Sequence, residues 1–223
     1  MRISYNRIAG QSLERLAALS DGIFAVAMTL LVLDLRTPVA GAGARFTTPA
    51  LWTSQGVAKE MALLSALSAL VPHVLPYIMS FLTLGIFWIG QQTQLNHFAT
   101  SNRHLTWIHL AFLLAVSLMP FSTGLLAEFI TYRIALVGYW LNLLLLGVAL
   151  FASWRYAQRA GLLKEEVTDE IRAATERRIV FYQVFYAVAV LLCVINTYVS
   201  IVLLILLQLN SVLAPRIGRL DRL

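Results

Sequence analysis

Charge is scarce in this sequence. Asp, Glu, Lys and Arg make up 13% of its 223 residues, while 59% are apolar and the mean hydropathy is +0.76. A soluble globular domain carries about 25% charged residues, so this balance excludes that class and points to a polytopic membrane protein. Cysteine is all but missing. Cys193 stands alone in an apolar stretch, so no intrachain disulfide can form and no redox pair is available. The sequence has no glycine-rich phosphate loop. Its histidines, His73, His97, His104 and His109, show no ligand-like spacing, which argues against a metal site and against an enzyme. No apolar run carries a regular arginine series, so voltage sensing has no support.

Long apolar runs are what the chain does have. The first spans about residues 16–35, preceded by Arg2 and Arg7 and closed by Asp34-Leu35-Arg36. That ending is unlike a small-residue cleavage site, so a retained crossing is predicted rather than a signal peptide. A Gly-, Pro- and Thr-rich loop follows to about residue 56. Residues 59–71 predict a short helix, lying at the interface or leading into the next crossing, stopped by Pro72 and Pro76. Further crossings are predicted at about 73–92, 105–126 (kinked or broken near its end by Pro120) and 134–154. Residues 155–178 are strongly charged and helix-prone. Residues 179–213 are long enough for two crossings, with a turn at Asn196-Thr197. The predicted fold class is all-α: one unit over 1–223 with six transmembrane helices and no internal repeat.

Charge asymmetry supports that topology. With the N-terminus in the cytoplasm, Arg2, Arg7, Arg15, Arg103, six cations of 155–178, Arg216, Arg219 and Arg222 lie inside, thirteen in all. Arg36, Arg45, Lys59 and Arg133 lie outside. This is a strong positive-inside bias with both termini cytoplasmic. Topology and lipid headgroups thus explain the net charge of +6, which is no argument for nucleic acid. Trp52, Trp107, Trp140 and Trp154 fall near span ends, as an aromatic belt would; Trp88 is set apart by its neighbours.

The first crossing is the stretch around which the rest is organised. Ser20 and Asp21 sit at its start and Asp34 at its end, and ionisable groups beside hydrocarbon are functional candidates. At about 100° per residue, Ile23, Val26, Ala27, Leu30 and Asp34 share one stripe. Asp21 points away from it, about 160° from Ile23. The stripe could line a pathway, or it could simply face lipid or the core.

The motif Arg15-x-x-x-Leu19-Ser20-Asp21 resembles the Arg-x-x-x-Phe-Ser-Asp signature of the lysosomal-type potassium channels, the transmembrane protein 175 family, with Leu19 in place of Phe. Tyr77-Ile78-Met79-Ser80-Phe81 through Phe87-Trp88, and Leu118 through Thr123, resemble the family's following helices in the same order. The resemblance implies a potassium-preferring cation channel, a homotetramer of six-span subunits in a prokaryotic cell membrane, with no cofactor beyond the permeant potassium ion. Nothing here is similar to the Thr-Val-Gly-Tyr-Gly carbonyl filter.

Instead, the family pattern implies a pore lined by the first helix of each subunit. Its apolar gate would be drawn from Ile23, Val26 or Ala27, and Leu30, with a ring of Asp34 carboxylates gathering cations at the mouth. Arg15, Leu19, Ser20, Asp21, Ser80 and Trp88 are expected to form the network that fixes the pore helix, with Asn96 and His97 as further polar partners. A secondary transporter would need inverted repeats with paired interrupted helices, of which Pro72, Pro76 and Pro120 give only a trace. A non-conducting scaffold is the other alternative.

Overall fold

The computed structural model describes residues 12–35 and 49–213. Arg2, Arg7, Arg36, Arg45, Arg216, Arg219 and Arg222 lie outside the described residues, as does the side chain of Asp34. Helix α1 (Leu13–Leu30) begins at Ser12, whose Oγ accepts the Arg15 backbone N–H at 3.2 Å. Glu14 in its first turn complements the helix dipole. The helix tightens into a 3-10 turn at Leu31–Asp34. Helix α2 (Ser54–Ser68) is capped by Thr53 and leaves most of its side chains exposed. Helix α3 (Val71–His97) admits Pro72 in its first turn, where no N–H is needed, and carries Pro76 inside. The predicted stop at these prolines is therefore corrected: the chain breaks at Ala69-Leu70, and the crossing begins before both of them.

Helix α4 (Arg103–Ser117), capped by Asn102, gives way at Leu118 to α5 (Met119–Glu128). Pro120 cannot donate to a carbonyl one turn back, and the expected kink or break falls at the single turn residue Leu118 between the two helices. Helix α6 (Arg133–Arg159) and helix α7 (Asp169–Leu191, extended by a 3-10 turn at Leu192–Val194) absorb most of the charged 155–178 stretch. Helix α8 (Thr197–Leu213) follows the turn at Asn196, whose Oδ1 accepts the Tyr198 N–H at 2.8 Å.

The described residues form an all-α fold. Five segments are long and apolar enough to cross a bilayer: Leu13–Leu33, α3, α4 with α5, α6, and α7 with its 3-10 turn. Six were expected. Helix α8 has 17 residues, somewhat fewer than the roughly 20 a crossing needs. It still packs into the bundle through Ile201, Leu204 and Gln208, each 1% exposed or less.

The main core runs through the bundle from Phe24 and Leu31 to Leu136, Tyr139 and Leu204. A second cluster, Leu16, Leu95, Phe98, Leu105, Trp154, Ala157 and Val167, ties one end together. Backbone bonds knit that end: Ala99 N–H donates to Leu162 O at 2.8 Å and Lys164 N–H to His97 O at 3.0 Å. The start of α1, the α3–α4 turn and the α6–α7 connection therefore share one end. Arg15, Arg103, Arg155, Arg159, Lys164 and Arg172 gather there, while Arg133 stands at the opposite end of α6. Trp154 departs from the expected belt. It is fully buried, stacked on Phe98 at 6.2 Å.

Candidate pore helix and its anchor

Helix α1 presents three faces. Leu16, Ser20, Phe24, Ala27 and Leu31 are buried, and Phe24 meets Phe112 of α4 at 5.9 Å between ring centroids. These five fall within about 80° on the wheel, centred about 60° from Ile23. The predicted stripe is thus split lengthwise. Ala27, expected among the pore-lining residues, is 2% exposed within the subunit and packs in the core. Ile23 is half-buried at the boundary, whereas Val26 and Leu30 are 56% and 42% exposed. Leu19 joins them on the open face. The reason lies in Phe24 and Leu31: burying two large side chains turns their side of the helix inward, and Ala27 lies on that side, about 40° from Leu31 and about 60° from Phe24.

The second face is polar. Ser20 donates to Leu16 O at 2.8 Å and accepts from Gln91 Nε2 at 2.6 Å. One carboxylate oxygen of Asp21 accepts both Trp88 Nε1 at 2.8 Å and Gln92 Nε2 at 2.7 Å. Trp88 and Gln92 are four apart on α3 and so stand on one face. Ser20, Asp21 and Trp88 thus come together. Gln91 and Gln92 were overlooked, although two adjacent carboxamides inside an apolar crossing are the kind of polar group that joins membrane helices.

Other members of the expected network lie elsewhere. Arg15 and Leu19 are exposed on the open side of α1. Ser80 lies eight residues before Trp88, roughly 12 Å along α3, too far to reach Asp21. His97 turns its Nδ1 to Thr93 O at 2.6 Å, and Asn96 is exposed.

Ser80 instead joins a buried cluster in mid-bundle. Thr123 of α5 donates to Ser80 Oγ at 2.6 Å, and Ser80 donates to Tyr139 OH of α6 at 3.3 Å. Thr83 Oγ1 lies 3.1 Å from the same hydroxyl and accepts Gln208 Nε2 of α8 at 2.7 Å. All five side chains are 2% exposed or less. Four helices are thereby cross-linked by groups that must stay paired in a medium without water.

An apolar groove of about 580 Å³ runs between α1 and α4, lined among others by Leu19, Ile23, Val26, Leu30, Leu110 and Leu114. Among the described residues no three His, Cys, Asp or Glu converge as metal ligands.

These features define a helical integral membrane protein whose first crossing is anchored by polar groups on one side and bare and apolar on another. Residues 15–120 match the family model of the endosomal/lysosomal potassium channel TMEM175. The chain is 32% identical over 168 residues to a potassium channel of Streptomyces collinus, covering 73% of each chain. It is 27% identical over 192 residues to a potassium channel of Chamaesiphon minutus, covering 84% of this chain and 87% of the relative. The crystal structure of a lysosomal potassium-selective channel TMEM175 homolog from Chamaesiphon minutus has the same fold. The TM-score is 0.71 at 23% identity, over 92% of this chain and 98% of that one. The chain belongs to the TMEM175 family of potassium channels.

Proposed function

We propose that this chain is one subunit of a potassium-permeable channel, assembled as a homotetramer with α1 of every copy around a central pathway. The observation that carries the reading is the division of α1. Polar bonds from Ser20 and Asp21 fix one face to α3, while Leu19, Val26 and Leu30 are left uncovered within the subunit. One such helix cannot enclose a pore; several copies around an axis can. Val26 and Leu30, with Ile23 at their edge, would then form apolar rings that close the pathway by excluding water. A small rotation or splay of α1 opens it. Asp34 follows Leu30 by one turn, at the mouth, where repeated carboxylates concentrate cations. An apolar ring cannot replace an ion's hydration shell, so preference for potassium over sodium is moderate.

In this reading α8 completes six crossings. The end gathering Arg15, Arg103 and the cations of 155–172 faces the cytoplasm by the positive-inside tendency, with both chain termini on that side. The test is potassium against sodium flux from proteoliposomes holding the wild type or Ile23→Asn. The wild type is expected to pass potassium faster, and the asparagine to raise basal flux by wetting the constriction. A folded oligomer that passes neither ion would overturn the channel reading in favour of a scaffold. Unchanged flux in the variant would remove Ile23 from the gate.

A further inference from the structure

A second feature lies away from α1. A narrow cleft of about 130 Å³ opens between α3, α6 and α7, with Ile86, Ile89, Leu150 and Ile179 on its walls. Along α3 it runs from His97 to Ile86, and along α7 from Thr175 to Tyr186, each eleven residues or roughly 16 Å of helix. Its two ends differ in chemistry. His97, Thr175 and Arg178 stand at the end shared with the basic connections. Ile86 and Tyr186 stand deeper in the bundle.

Arg178 is exposed, lies 6.0 Å from the Tyr182 ring centroid, and takes part in none of the ion pairs among the described residues. No carboxylate lines the cleft. Its length, its mostly apolar walls and the exposure of Ile89 and Arg178 at its opening suit one acyl chain laid lengthwise from the bilayer.

We propose that this cleft holds an anionic phospholipid of the leaflet at the basic end, its chain along Ile89 and Ile179 and its phosphate on Arg178. Guanidinium pairs with phosphate in a bidentate fashion, and basic pockets between helices on this side are a recurrent headgroup site. The occupancy is independent of conduction, and so is its test. Full-length protein in a mild detergent is titrated with short-chain phosphatidylglycerol, phosphatidylcholine or inorganic phosphate, and its melting temperature followed.

A saturable rise with phosphatidylglycerol alone is expected. It is lost in Arg178→Gln and kept in Arg177→Gln, which removes the neighbouring exposed charge outside the cleft. Equal rises with phosphatidylcholine or with phosphate, or an unaltered rise in Arg178→Gln, would overturn the assignment. Should Arg178→Gln not be recovered folded, Arg178→Lys is expected to keep part of the rise. The cleft-filling Ile89→Trp is expected to abolish it, and a full rise in the tryptophan variant would equally overturn the proposal.

Discussion

Two polar clusters hold this bundle together, and they differ in what they fasten. The mid-bundle cluster of Ser80, Thr83, Thr123, Tyr139 and Gln208 is sealed from solvent and joins α3, α5, α6 and α8. The α1 anchor is smaller. Ser20 and Gln91 are buried, but Asp21 is exposed, and every bond to another helix runs to α3. The comparison divides the subunit into a frame locked by polar groups without access to water and a first helix pinned along one edge. Bonds at an exposed edge are open to exchange, whereas those of the sealed cluster are not.

Substitutions can break this contrast, starting from the frame. Tyr139→Ala removes a fully buried ring and the hydroxyl shared by Ser80 and Thr83. A loss of about 3–5 kcal/mol is expected, seen as disappearance of the folded, monodisperse protein in detergent. Tyr139→Phe isolates the hydroxyl and is expected to cost about 1 kcal/mol, lowering the melting temperature while leaving the potassium-to-sodium flux ratio intact. A changed ratio with unchanged melting would place Tyr139 in the conducting machinery and abolish the distinction.

Asp21→Ala tests the other side. Its carboxylate is exposed, so the stability cost is about 1 kcal/mol or less. The oligomeric fraction, followed by size-exclusion chromatography with light scattering, is expected to fall before selectivity changes. A fully assembled but non-selective Asp21→Ala would contradict the anchoring role. Trp88→Phe removes one of two donors to that carboxylate while Gln92 remains, so the same effect should appear in weaker form.

The smallest effect is expected at Gly147, where an added Cβ would collide with the side chain of Gln183. Gly147→Ala should displace that amide from Leu143 O, its 3.2 Å partner. The expected cost is about 0.5 kcal/mol of melting stability, with flux unaffected.

Much of this was legible from particular residues. The Ser20-Asp21 pair beside an apolar run marked α1. Trp88 stood out from the other tryptophans, and Asn196 marked the α7–α8 turn. Trp154 misled because proximity to a span end is shared by belt and core tryptophans; only the packing of Phe98 and Val167 over it settles which it is. Gln91 and Gln92 were visible as letters. Their partners were not, since bonds across about 70 residues depend on which faces of α1 and α3 meet. Ser80 shows the converse: a residue within the resembled block that serves the frame instead of the anchor.

By itself, then, the sequence determined a helical membrane protein, its approximate crossings, its charge asymmetry and the polar start of its first helix. Each of these follows from local hydropathy and from the cost of charge in hydrocarbon. Only the tertiary structure decided the rotation of α1 and the division of its polar residues between two clusters. The helical repeat fixes which residues share a stripe. Which stripe turns inward is chosen by the bulk of Phe24 against α4, by the burial of Leu31, and by the donors that α3 offers to Ser20 and Asp21.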